Sequence, residues 1–307
     1  MGTPWSRCSG TAIRVAPMTE RRCLLTVHAH PDDEASKGPA TVARYHDQGV
    51  HTVLVCCTGG EEGDILNPAM DRPEVKEHIA EYRRAELEAA AQIIGYDELN
   101  WLGYRDSGMP GSEANGHPGA FAQAPLPEAV GRLVTVIRRV RPQVMVTYPD
   151  EQSGYPHPDH LRVHEISILA FDAAADPAAF PGSGEPYAPA KLYYTVWSMI
   201  RMRIMHQRFI ELGLESPFSE ERVARMLEIE PPQVSTSVDV TGYEAIRSEA
   251  LRAHATQVDP TSRMWFGLPP EVEKVLPHTD DYQLARSRVG PLEVNEDDLF
   301  AGVPEAG

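Results

Sequence analysis

Residues 23–34 read Cys-Leu-Leu-Thr-Val-His-Ala-His-Pro-Asp-Asp-Glu. The first six, Cys23–His28, form an apolar run of the length that a strand buried on both faces needs. A His-Pro-Asp-Asp-Glu cluster follows it with no intervening loop. Working outward, the spacing predicts a helix over 34–48, stopped by Gly49, and a second buried strand over 52–57. A strong helical pattern over 74–94 ends at Gly95, placed as a C′ glycine. A third strand over 99–102, a long Gly/Pro/Ala-rich loop over 109–126, a helix over 127–140 and a fourth strand over 143–148 complete the pattern. Strands alternating with long helices imply βαβ units, so the expected fold is α/β: a Rossmann-like, mainly parallel sheet flanked by helices. In such sheets ligands bind beyond the carboxyl ends of the strands.

The pattern changes near residue 180. A linker-like stretch over 181–189 precedes strands over 192–196 and 234–240 and helices over 197–212 and 243–256. The expected organisation is a disordered extension over 1–17 and a catalytic domain over 18–180. A C-terminal α+β portion over 181–307 would pack on that domain and shape its pocket.

Composition narrows the function. A net charge of −17 leaves no basic surface for phosphate neutralisation or for an anionic membrane, which argues against nucleic-acid and membrane partners. Cys8, Cys23, Cys56 and Cys57 form no CxxC pair and read as reduced thiols in a cytoplasmic protein. No apolar stretch reaches transmembrane length, and the first 17 residues lack a signal-peptide core.

A second cluster, Tyr155-Pro156-His157-Pro158-Asp159-His160, follows the fourth strand. In both clusters a proline suits the first turn of a helix. His30 and Asp33 are three apart, as are His157 and His160, so each pair can share one face of a turn. One such cluster is an ordinary helix cap. Two, each after a strand, point to a metal. Two imidazoles and a carboxylate with an open position match catalytic zinc, one per chain; ferrous iron accepts the same set. His30, Asp33 and His160 are the expected ligands, and Asp32 is left to act as general base on the activated water. His157 would face the carbonyl opposite Asp32, with Tyr155 as a second donor to the oxyanion and Asp159 orienting a histidine from behind. His28 and His164 are additional histidines better suited to supporting roles. The Thr58-Gly59-Gly60-Glu61-Glu62-Gly63 loop does not match a dinucleotide-binding fingerprint, because Glu61 occupies a required glycine position.

HAHPDDEASKG and GYPHPDH resemble the LmbE-like zinc deacetylase superfamily. TGGEEGDILNPAMD, LGYRDSGMP, ALRAHATQVDP and LARSR are similar to its mycothiol S-conjugate amidase group, over about 24–302. The resemblance implies cleavage of the amide between glucosamine and the acylated cysteine of a mycothiol conjugate, for detoxification. It also implies that Lys37 contacts the cysteinyl part and that Arg83 and Asp106 contact sugar and inositol, with Glu62 and Arg105 beside them. Arg83 is equally readable as a solvated helix residue. Alternatives within the family are a deacetylase of N-acetylglucosaminyl-inositol or another N-acetyl sugar, and an amidase dedicated to one mycothiol-linked antibiotic intermediate. A catalytically silent sugar-binding protein is the alternative outside enzymes, and the intact clusters argue against it. Asp64 stands where the family is expected to carry Glu, and 1–17 matches no family segment.

Overall fold

The structure, a computed structural model, describes residues 21–150, 156–197, 199–228, 233–273, 276–290 and 295–304. Among these, the strands are β1 (Cys23–His28), β2 (His51–Thr58), β3 (Glu98–Tyr104), β4 (Val144–Thr147), β5 (Lys191–Val196), β6 (Thr236–Asp239) and β7 (Thr279–Ser287). They form one sheet in the order β3-β2-β1-β4-β5-β7-β6. β3 to β5 are mutually parallel, while β7 is antiparallel to both its neighbours. The fold is the expected α/β class, and strands from either side of residue 180 share its sheet.

The helices include α1 (Asp33–Ser36), α2 (Pro39–Asp47), α3 (Pro73–Glu77), α4 (Ile79–Ile94), α5 (Leu126–Val140), α6 (Pro158–Ala173), α7 (Met199–Glu211), α8 (Glu220–Glu228) and α9 (Glu244–Ala253), with two single-turn helices, α10 (Arg263–Phe266) and α11 (Pro270–Glu273), after them. Strand alternation decides which face each one covers. Cys23, Leu25 and Val27 of β1 join a core with Leu133 and Ile137 of α5 and Val163 and Ile166 of α6. Leu24 points the other way, into a core with Val42 and Tyr45 of α2, Ala90 and Ile94 of α4 and Leu251 of α9. Both faces are covered, which is why β1 and β2 read as continuous apolar runs.

Two expected helices change, and one strand lies where none was expected. The helix over 34–48 is two helices, broken at Gly38 (φ +76°). There Pro39 starts α2 and restricts the residue before it. A Cβ on Gly38 would also stand 2.5 Å from the Tyr282 hydroxyl. The helix over 74–94 is interrupted at His78 (φ −116°, ψ 26°), a break that nothing in the local sequence explains. β7 carries no apolar run, because mainly Asp280 and Tyr282 are buried along it, and its polar pattern hid it.

The segment leading into the linker-like stretch, and Gly184 within it, are fastened to the body. The Arg138 guanidinium, buried at the end of α5, donates to the carbonyls of Ala173, Ala174, Asp176, Ala179, Phe180 and Gly184. Among the described residues no helix is long and apolar enough to cross a membrane, and Cys23, Cys56 and Cys57 are buried free thiols.

Candidate active site

β1 lies between β2 and β4, and the chain builds the β2–β3 side before returning to add β4 on the other. The loops leaving β1 and β4 therefore diverge and open a crevice at this switch point. The HPDDE cluster leaves β1 into α1, and His157 caps α6 after β4. The fold thereby joins two clusters distant in sequence: His30 and Asp159, which pair, are 129 positions apart.

Asp33 Oδ2 stands 3.6 Å from His30 Nδ1 and 3.4 Å from His160 Nε2. His30, Asp33 and His160 are all buried and bring one donor atom each to a common point, a grouping able to hold a metal ion. His30, Asp106, His157 and Asp159 form a second such grouping around the opposite edge of the His30 ring. There the carboxylates are already engaged. Asp159 accepts the Ser107 amide at 2.9 Å and the Ser107 hydroxyl, and faces His30 Nε2 at 3.1 Å. Asp106 accepts the amides of Gly108 at 2.8 Å and Glu62 at 3.4 Å, and faces His30 Nε2 at 3.5 Å. Carboxylates so placed orient a histidine whose other nitrogen is free to ligate.

The electrostatics also call for a cation. Against the burial that opposes it, the carboxylates of Asp106, Asp159 and Asp33 hold the His30 imidazole well above its ordinary pKa. Asp33 is buried as well, yet Lys37 and His160 pull its carboxyl well below the usual range. A donor set of two imidazoles and a carboxylate, in a site that concentrates negative charge, fits a zinc-type ion.

Asp32 sits at φ +111°, in left-handed territory that costs a non-glycine residue about 1–3 kcal/mol. Its surroundings impose that conformation. Arg83 Nη2 donates to Asp32 Oδ2 at 3.1 Å and to the Pro31 carbonyl at 2.6 Å, while Nη1 donates to the Gly60 carbonyl. Arg83 is buried, which rules out the solvated reading. Gly60 is required here: a Cβ on it would stand 2.3 Å from Arg83 Nη1. The glycine-rich loop after β2 is thus the cradle of Arg83. Burial pushes the Asp32 carboxyl up against the pull of Arg83, the direction that suits a general base near neutrality.

His157 Nδ1 accepts the Asp159 amide at 3.2 Å, so a neutral ring carries its proton on Nε2. Burial, helped by the positive charge on His30, pushes His157 down to about 4 and keeps it neutral. Its ring lies edge-on to His30, 4.5 Å between centroids. Lys37 Nζ donates to Asp33 Oδ1 and lies 5.2 Å from the centre of the Tyr148 ring. Glu62 pairs with Arg105 on the rim beside the loops after β2 and β3. Tyr155 and residues 1–17 lie outside the described residues.

Two contributors escaped the sequence reading. Tyr148 follows β4, and its hydroxyl accepts the Ala29 amide at 3.1 Å and meets His28 Nδ1 at 3.0 Å. His164 meets the Tyr148 carbonyl at 2.9 Å, so both extra histidines brace the wall and stay outside the ligand grouping. Ser107 anchors Asp159. Both Tyr148 and Ser107 follow strands at the carboxyl edge, and that position was the available signal.

A family profile described as PIG-L: GlcNAc-PI de-N-acetylase matches residues 25–171. The mycothiol S-conjugate amidase of Streptomyces coelicolor is 44% identical over 296 residues, covering 93% of this chain and 99% of that protein. The chain belongs to the PIG-L (LmbE-like) family. The 1D-myo-inositol 2-acetamido-2-deoxy-alpha-D-glucopyranoside deacetylase of Streptomyces avermitilis is 41% identical over 293 residues, covering 92% and 97%. Among solved structures, the N,N'-diacetylchitobiose deacetylase of Pyrococcus horikoshii shares the fold, with a TM-score of 0.58 at 16% identity over 87% of this chain and 85% of that one. As a member of a family of deacetylases and amidases, the chain is a hydrolase of amide bonds.

Proposed function

We propose that this PIG-L family member is a zinc-dependent amidase that hydrolyses the glucosamine–cysteine amide of mycothiol S-conjugates, releasing a mercapturic acid and glucosaminyl-inositol. The observation that carries the hydrolytic reading is the meeting of His30, Asp33 and His160 at one point, with Asp32 held beside them by Arg83. These three residues would hold the zinc, which when bound makes water a nucleophile near neutral pH and polarises a carbonyl. Asp32 accepts the proton of the attacking water and returns it to the departing amine. The Nε2–H of His157 donates to the carbonyl oxygen as it gains charge, and Tyr155 is assigned the second donor by family likeness. Asp159 and Asp106 keep the His30 ring in place. Buried free thiols fit a reducing, cytoplasmic setting.

The amidase reading over the deacetylase reading is supported by the side chains found on either side of the site. Toward β2 and β3 the rim is polar, with Glu62 and Arg105 suited to a sugar and inositol. Toward β5 and β7, Lys37 borders a cavity of about 110 Å³ whose wall combines Trp197, Met202, Met205 and Trp265 with the charged Arg201, Arg247, Glu273 and Asp280. The thioether and indole part of that wall suits the S-substituent of a conjugate, a group that an N-acetyl substrate lacks. The stripe over Met199–Met205 is shared: Met202 is buried against Phe218, and Met205 also lines the cavity.

The relative at 41% identity keeps the deacetylase reading in play. The test compares kcat/KM for a fluorescent mycothiol S-conjugate and for N-acetylglucosaminyl-inositol, with metal content measured on the same sample. The conjugate should be favoured by about tenfold or more. Faster acetate release would overturn the amidase assignment and leave the hydrolase. A pathway-dedicated amidase would instead accept one S-substituent and reject others of similar size.

The cavity makes its own prediction. Met205→Trp, which fills it, should lower kcat/KM for a bulky S-conjugate by about tenfold while leaving acetyl-sugar turnover unchanged. Equal losses on both substrates would show that the cavity is merely part of the packing.

A further inference from the structure

His254 ends α9, far in sequence from the HPDDE cluster, and the chemistry above does not use it. Its side chain and that of Glu34 are completely buried. His254 Nε2 stands 2.5 Å from Glu34 Oε1, and Glu34 Oε2 accepts the backbone N–H of Asp32 at 2.9 Å. Imidazole, carboxylate and amide form a line that ends on the backbone of the proposed base.

Two physical arguments make this line more than a buried polar pair. A carboxylate removed from water is stable only when its oxygens are supplied with donors. Among the described residues, the hydrogen bonds of the Glu34 carboxylate are the two just named. Without His254, Glu34 would lose one of them and be free to turn away from the Asp32 amide. The second argument is conformational. Asp32 at φ +111° persists only where its surroundings over-determine it. Arg83 secures the carboxylate end of the residue, and Glu34 secures the amide end. His254 is itself fixed, because the next turn is docked on α4: the Thr256 amide and hydroxyl donate to Glu86 at 2.8 and 2.7 Å.

From this geometry we infer that His254 is a positioning residue, which through Glu34 holds the Asp32 backbone in the left-handed conformation that aims its carboxylate at the attacking water. The inference rests on the reading of Asp32 as the base. It also gives a role to the ALRAHATQVDP segment, for which sequence alone supplied none.

The test uses the metal-loaded full chain with His254→Leu and His254→Gln. Glutamine keeps an N–H donor within reach of Glu34, and leucine does not. In His254→Leu, kcat should fall by about a hundred-fold with KM and metal content unchanged, the loss expected of a misaligned catalytic group. His254→Gln should recover most of it. Hydrogen exchange of the Asp32 amide should accelerate in His254→Leu and return toward wild type in His254→Gln. Unchanged kcat, unchanged exchange, or a loss of activity that follows only the folded fraction and is not rescued by glutamine, would overturn the inference. A wild-type protein that cleaves neither amide would overturn the proposed function instead, and the exchange measurement would still decide whether His254 holds Asp32.

Discussion

Asp32→Asn is expected to lower kcat for the preferred amide by about a thousand-fold, within the range that general-base catalysis contributes, while the protein keeps its metal. The substitution is nearly isosteric, so the turn after β1 should survive. The amide oxygen of the new side chain can still accept from Arg83, and the backbone N–H at this position still reaches Glu34 Oε2. What disappears is the ability to take a proton. The convergence of His30, Asp33 and His160 does not involve the Asp32 side chain, so metal content should match wild type. Steady-state kinetics with elemental analysis of the same preparation decides the matter. A kcat within about tenfold of wild type would remove Asp32 from the mechanism.

His160→Ala should produce the other large loss, by a different route. His160 is the one member of the first grouping supplied from the β4 side of the crevice. His30 and Asp33 are supplied by the turn after β1. Removing the imidazole leaves a two-residue site, and metal affinity should fall by more than the roughly ten- to hundred-fold typical of losing an orienting partner alone. Activity should drop to background at stoichiometric metal, while circular dichroism reports an intact α6. Metal titration with a competing chelator measures the affinity. Unchanged affinity in His160→Ala would show that the ion binds elsewhere, with the grouping of His30, Asp106, His157 and Asp159 as the next place to look.

These two outcomes separate the roles of neighbouring carboxylates. Asp32 and Asp33 are adjacent and both sit within the crevice, yet the protein pushes them in opposite directions. Burial raises Asp32 despite Arg83, whereas Lys37 and His160 overcome burial at Asp33. A carboxyl held up is suited to accepting a proton, and one held down is suited to staying charged on a cation.

The chain order already contained the parallel half of the fold and the two clusters. β1 and β2 are covered on both faces, so their central residues are mostly apolar and the runs stand out. The histidines and aspartates stood out for a related reason, since they follow strand ends, where an open α/β sheet leaves backbone accessible to a ligand. What remained hidden depends on distant partners. β7 is legible only beside β5 and β6, because its polar residues are tolerated by an antiparallel strand at the sheet's far side. Arg83 could be read equally as a substrate contact or a helix-surface residue, and only the packing of the glycine-rich loop around it removes the second reading. Ser107, Tyr148 and His254 carry no local pattern, for each acts through a hydrogen bond to a residue dozens of positions away or more.

Sequence alone therefore pointed to the α/β class and to the residue types able to meet a metal, because periodicity and cluster chemistry are local properties of the chain. The tertiary structure decided which of the two carboxylates is pinned by Arg83, which face of His30 turns toward Asp33 and which toward Asp159, and where the cavity beside Lys37 opens. Those outcomes rest on the directions in which buried side chains point and on the donors that satisfy them, and both arise only when separate elements pack against one another.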